Sequence, residues 1–173
     1  MDALTAEADV RAWVDRVVVG MGLCPFARAA LPGTRIAAVG DGDSALGAIL
    51  DEAARLDRAD QPATTLLVVP HGLDDFADYL AALAEAEAVL SASGYDGIIQ
   101  IASFHPDYQF DGADADDPAN WTNRSPWPLF HLLRERDVTA AVDQHPDPGG
   151  IPLRNQRLLR GLGDAVRALS RRG

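Results

Sequence analysis

"TTLLVVP", residues 64–70, carries no charge and is built mostly from threonine, leucine and valine. A continuous apolar, β-branched run closed by a proline is the pattern of a strand covered on both faces. "GIIQIASF", residues 97–104, has the same character. Helical periodicity fills the spaces around them. "DDFADYLAALAEAEAVLSASG", 74–94, is an alanine-rich helix stopped by Gly94. "SALGAILDEAARLD", 44–57, is a helix with Ser44 as cap and Leu46, Ile49, Leu50, Ala53 and Leu56 inward. "RIAAV", 35–39, is a short strand. "TAEADVRAWVDRVVVG", 5–20, is a helix capped by Thr5, with Val10, Trp13, Val14 and Val17 on one stripe, ended by Gly20 and Gly22. "PLFHLLRERDVTAAVDQ", 128–144, and "LRNQRLLRGLGDAVRALSRR", 153–172, are predicted as two further helices.

Strands alternating with helices indicate an α/β fold with right-handed crossovers. The expectation is a single domain, 1–173, with a small, mainly parallel sheet of three to four strands packed by about five helices. If the two apolar strands run the same way, Pro70-His71 and Phe104-His105 share the carboxyl edge of the sheet. Open α/β sheets place their ligand crevices there.

Composition narrows the function classes. With 173 residues, 47% hydrophobic and 24% charged, the chain has the make-up of a globular domain. Its net charge of −11 argues against a nucleic-acid partner, because phosphate neutralisation supplies most of that affinity. No apolar run approaches the ~20 residues that span a bilayer. The acidic, amphipathic start "MDALTAEADVRAWVDRVVVG" does not read as a signal peptide, and the single cysteine suits a reducing cytoplasm. The sequence contains no lysine. A Schiff base to pyridoxal phosphate, a lysine nucleophile and a Walker phosphate loop are therefore excluded. Acid–base chemistry falls to His, Cys, Tyr, Asp or Glu, and anion binding to arginine.

"LCPFA" at 23–27, "ASFHPDYQF" at 102–110, "NWTNRSPWPLFHLLRE" at 120–135 and "IPLRN" at 151–155 together resemble the domain of unknown function 1415 family. Its members are bacterial proteins of about this size, and the blocks follow in the same order along nearly the whole chain. Trp127 stands where the family pattern has tyrosine, and the pattern does not ask for His71. The resemblance implies a grouping and supplies no reaction.

The chemistry-bearing residues gather in these blocks. His105, at a strand end and before Pro106, is a candidate general base or metal ligand; the alternative is a buried ring bonded to backbone. His131, Arg134 and Glu135 would share one face of the predicted helix. Arg124, with Asn120 and Asn123 beside it, suits a bidentate grip on carboxylate or phosphate, or else ties the loop to backbone carbonyls. Arg154 is a further anion-binding candidate, and Tyr108 and Gln109 could orient a ligand. Phe104, Phe110, Trp121 and Trp127 are expected to give the loop its own small core. Cys24 before Pro25, near a new helix start, is a candidate nucleophile; a small core residue is the alternative. Zinc, iron or copper could be held by His105 and His131 with Cys24 or Glu135, although no tight ligand spacing supports a transition metal. The aspartates at 107, 111, 114, 116 and 117 lack the spacing of a calcium loop, and "VGDGDS", 39–44, reads as a turn into a helix.

Two functions follow as expectations. One is a cytosolic enzyme acting on a small anionic metabolite, with Cys24, His105, Arg124 and His131 converging on one cavity. The other is a non-catalytic binding or accessory protein that recognises a partner through loop 105–128. Cofactor identity is left unassigned, and a homodimer is compatible with either.

Overall fold

The computed structural model describes residues 3–170. Helix α1 (Ala3–Trp13) continues into a π-helical segment, Val14–Val19. A loop and the short α2 (Ala27–Ala30) lead to β1 (Thr34–Ala38). Then come α3 (Ala45–Asp57), β2 (Thr64–Val68), α4 (Phe76–Ala92) and β3 (Ile99–Phe104). A long irregular segment holds one 3-10 turn, Pro118–Thr122, before β4 (Leu129–Arg134). Helices α5 (Glu135–Asp143) and α6 (Ile151–Leu162) follow, with a last 3-10 turn at Gly163–Ala168.

The architecture is α/β, but the sheet is mixed rather than mainly parallel. Its order is β1-β2-β4-β3. Only β1 and β2 pair in parallel, and β4 lies antiparallel to β2 on one side and β3 on the other. The strands β1, β2 and β3 therefore still run the same way, so Val68 and Phe104 both end at the edge where Leu129 begins.

The expected helix over 128–144 is corrected at its first half. Residues 129–134 form β4, and only Glu135–Asp143 are α-helical. A strand flanked on both sides and covered on both faces shows little polar alternation, so its apolar run imitates a buried helix. His131, Arg134 and Glu135 consequently share no helix face. Smaller corrections concern the caps. Helix α1 begins before Thr5, and the Ser44 hydroxyl donates to Asp41 at 2.7 Å instead of capping α3. Asp75 does cap α4, accepting from the amides of Ala77 and Asp78.

Apolar side chains bury on both sides of the sheet. Val10, Trp13, Leu66, Val68, Leu129 and Leu159 form one cluster with α1 and α6. Ile49, Leu56, Leu67, Tyr79, Phe130 and Leu132 form the other with α3 and α4. Each fully buried side chain of this size contributes about 1.5–3 kcal/mol. The stripe Val10, Trp13, Val14 and Val17 is buried as its spacing predicts.

Candidate functional site

The segment after β3 is held by its own polar groups. His105 is fully buried, and its ring packs against Phe76 and Tyr79 of α4 with centroids 5.2 Å from each. Pro106 turns the chain so that the Asp107 amide donates to His105 Nδ1 at 3.0 Å. An amide can only donate, so Nδ1 is the bare nitrogen and Nε2 carries the proton. Nε2 then donates to the Leu73 carbonyl at 3.0 Å. Both nitrogens are committed to backbone. Burial pulls the imidazole pKa below its ordinary value and keeps the ring neutral.

The neighbouring candidates behave alike. Asn120, fully buried, accepts from the Phe110 amide and donates to the carbonyls of Asp114 and Ala115. Asn123 donates to the Ser103 carbonyl at 3.0 Å, and its own carbonyl takes the His105 amide. Arg124 donates through Nε to Tyr108 and through Nη2 to Ala115, with its guanidinium 3.9 Å over the Trp121 ring. Gln109 donates to the Ala113 carbonyl, and the Tyr108 hydroxyl accepts from Ser103 while its ring packs on Phe76 and Phe110. Trp121 and Trp127 are buried, and Trp127 donates to Asp9 of α1. A long loop must satisfy its backbone without a ladder, and these side chains do so. Of the two readings of Arg124, the structure takes the one in which it ties the loop to carbonyls.

Arg134 is likewise structural. It is 2% exposed, ion-pairs with Asp137 at 2.6 Å, and donates to the carbonyls of Ala59 and Gln61. Its Nε, both Nη1 hydrogens and one Nη2 hydrogen are taken by these groups and the Leu56 carbonyl.

His131 differs. Its Nε2 lies 2.7 Å from Thr64 Oγ1, whose proton is spent on the Leu132 carbonyl at 2.6 Å. Thr64 must therefore accept, which fixes the proton on Nε2 and leaves Nδ1 a bare lone pair. Burial depresses the imidazole pKa to about 4, so the ring is neutral at physiological pH. It lies on the sheet face of Leu66 and Leu129, beside Phe104 at 6.2 Å. His105 instead contacts α4 on the opposite face. The expected single cavity joining the two histidines is not formed, and they cannot share a metal ion. Among the described residues no three His, Cys, Asp or Glu side chains assemble as a metal site.

Cys24 lies on the loop after the π-helical segment, and its thiol is partly exposed. The expected helix start at Pro25 is not seen; α2 begins at Ala27 and lasts one turn. What holds the loop is α6. Arg154 donates through Nη1 to the Gly22 carbonyl at 2.7 Å, and the buried Asn155 donates to the Leu23 carbonyl at 2.6 Å. Leu23 itself is buried in the cluster with Leu66, Val68 and Leu129, on the face of the sheet that also carries His131. No ion pair among the described residues involves Arg154. Sequence reasoning quoted Asn155 within "IPLRN" without assigning it a role, and it missed Thr64. A buried asparagine and a strand threonine signal nothing until their partners are known.

Over residues 5–168 the chain matches the family model described as "Protein of unknown function (DUF1415)". No curated protein and no solved structure matches it. No helix among the described residues is long and apolar enough to cross a membrane.

Proposed function

The chain belongs to the DUF1415 family, a grouping that carries no reaction, and we propose from the site itself that it is an enzyme using the Cys24 thiol on a small anionic molecule. The observation that carries this reading is the clamp on the Cys24 loop. Two side chains of α6, Arg154 and Asn155, grip the two successive carbonyls that immediately precede the thiol. Fixing a partly exposed cysteine so tightly serves positioning, which is worth more in catalysis than in packing. Arg154 keeps donors and an uncompensated charge beside the loop, suited to hold the anionic part of the substrate. His131, neutral and with Nδ1 bare on the same side of the sheet, accepts a proton or hydrogen bond as the thiol reacts. A free thiol is compatible with a reducing cytoplasm. The enzyme reading is favoured over a binding protein by the burial of Trp121 and Trp127 and by the engagement of Arg124 within the loop.

The test uses two alkylating reagents that differ in charge. Iodoacetate should modify native Cys24 roughly tenfold faster than iodoacetamide once normalised to the unfolded chain, as an electropositive thiol site requires. Arg154→Gln should abolish that preference, and His131→Gln should slow both reagents. If Cys24 reacts with both at unfolded-chain rates, whatever stands at 154 and 131, the proposal is wrong.

A further inference from the structure

On the other side of the sheet, where β1 begins, a cleft of about 570 Å³ opens between the Pro32–Thr34 turn, the last turn of α3 and residues 59–63. Arg35 and Arg55 line it. Both guanidiniums meet one carboxylate, Glu52: Arg55 Nε donates to it at 2.7 Å, and Arg35 Nε stands 3.1 Å from its other oxygen as an ion pair. Arg55 Nη2 donates to Thr65 Oγ1, and Thr65 in turn donates to Glu52. Glu52 is nearly buried, with its side chain 11% exposed, and its Oε2 accepts from both Arg55 and Thr65. The terminal amino groups of Arg35 and the Nη1 of Arg55 are left over. One carboxylate thus orients two positive forks and neutralises only one of them.

The wall behind adds to the bias. Arg134 and Arg136 donate to the carbonyls of Ala59 and Gln61, against a single local carboxylate, Asp137. Asp60 stands exposed on the rim and offsets part of the charge, while Asp57 and Arg58 at the end of α3 cancel. In a chain of net charge −11 this is a place where an anion is attracted.

We propose that this cleft binds the oxyanion head, phosphate or carboxylate, of a small molecule, held by the free guanidinium donors of Arg35 and Arg55. A planar fork already drawn to a nearly buried carboxylate needs less further ordering when it grips such a group. The cleft is open to solvent and wide enough for a small molecule. Pro32 and Pro62 offer that molecule apolar walls. The site is separate from Cys24 and does not rest on the thiol reading.

Titration of the isotopically labelled chain with inorganic phosphate, and separately with succinate, reads the arginine Nε–H and Thr34 amide resonances. Saturable shifts with phosphate alone assign a phosphate ester, with succinate alone a carboxylate, and with both a general oxyanion site. Arg35→Gln, whose side chain is 55% exposed, should leave the fold intact and weaken binding roughly tenfold by removing a charge-assisted fork. Arg11→Gln, on α1 across the sheet from the cleft, should change nothing. Shifts that never saturate, or that fall equally in the Arg11 and Arg35 variants, would overturn the proposal.

Discussion

His105 shows what a residue can and cannot disclose before its partners are known. Its place at a strand end and its Pro106 neighbour were legible, and the buried, backbone-bonded ring was one of its two sequence readings. Which one holds is decided by Leu73, 32 residues away, and by the Asp107 amide. The same applies to Arg124, Asn120 and Asn123, whose acceptors are backbone carbonyls that no side-chain pattern encodes. His105→Ala would leave the Leu73 carbonyl and the Asp107 amide unsatisfied, each costing ~1–3 kcal/mol when buried. The expected loss is about 3 kcal/mol in urea unfolding, with Cys24 alkylation unchanged. Asparagine recovers the local turn, since its Oδ1 can accept from the amide two residues on. His105→Asn should therefore lose about half as much. A stability change below ~0.5 kcal/mol for the alanine variant would place it among ordinary surface substitutions and refute the architectural role.

At the scale of elements, strands β1, β2 and β3 and helices α3 and α4 were readable because each has one unambiguous period or a doubly covered apolar run. Strand β4 was not. "LFHLLR" alternates Leu129, His131 and Leu133 on one face with Phe130, Leu132 and Arg134 on the other, and both faces are apolar enough to erase the alternation. Arg134 looked like a helix-surface charge but is the peg that fastens β4 to the end of α3. Its guanidinium spans Asp137 and the carbonyls of Leu56, Ala59 and Gln61. Breaking a buried pair by removing one partner costs ~3–5 kcal/mol, and the partial exposure of Asp137 puts Arg134→Met at the low end. Amide exchange at residues 59–63 should quicken in that variant, while exchange in α6 stays as it was. Uniform quickening throughout the chain would instead mean global destabilisation without a local peg.

For the whole molecule, the sheet separates the two proposed sites, the thiol site on the face under α1 and α6 and the arginine cleft beside α3. The sequence could count these residues but not sort them, because sorting depends on strand order and β4 was misread. The sorting has a consequence for stability. His131 lies against the sheet with its folded pKa depressed to about 4, against an unperturbed 6.5. Above pH 6.5 both folded and unfolded chains carry a neutral ring, and the group favours neither. Between 6.5 and about 4 the unfolded chain takes up a proton that the folded one refuses, so stability falls as pH falls through that window. At ~1.4 kcal/mol per pH unit the loss reaches about 3 kcal/mol, an upper limit because the ring is partly exposed. Lowering pH also relieves the repulsion of a chain at −11, which acts in the opposite sense and is common to any variant. The difference between the wild type and His131→Gln removes it. Glutamine can still donate to Thr64 but does not titrate, so the two stability curves should run parallel above pH 6.5 and diverge below it, the wild type falling faster. His105, depressed in the same direction, is present in both proteins and drops out. Urea midpoints at pH 7.5, 6, 5 and 4.5 measure this directly. Curves that stay parallel down to pH 4.5 would show that His131 titrates normally in the folded protein, and with that its proposed role as a neutral acceptor for the Cys24 thiol would fail.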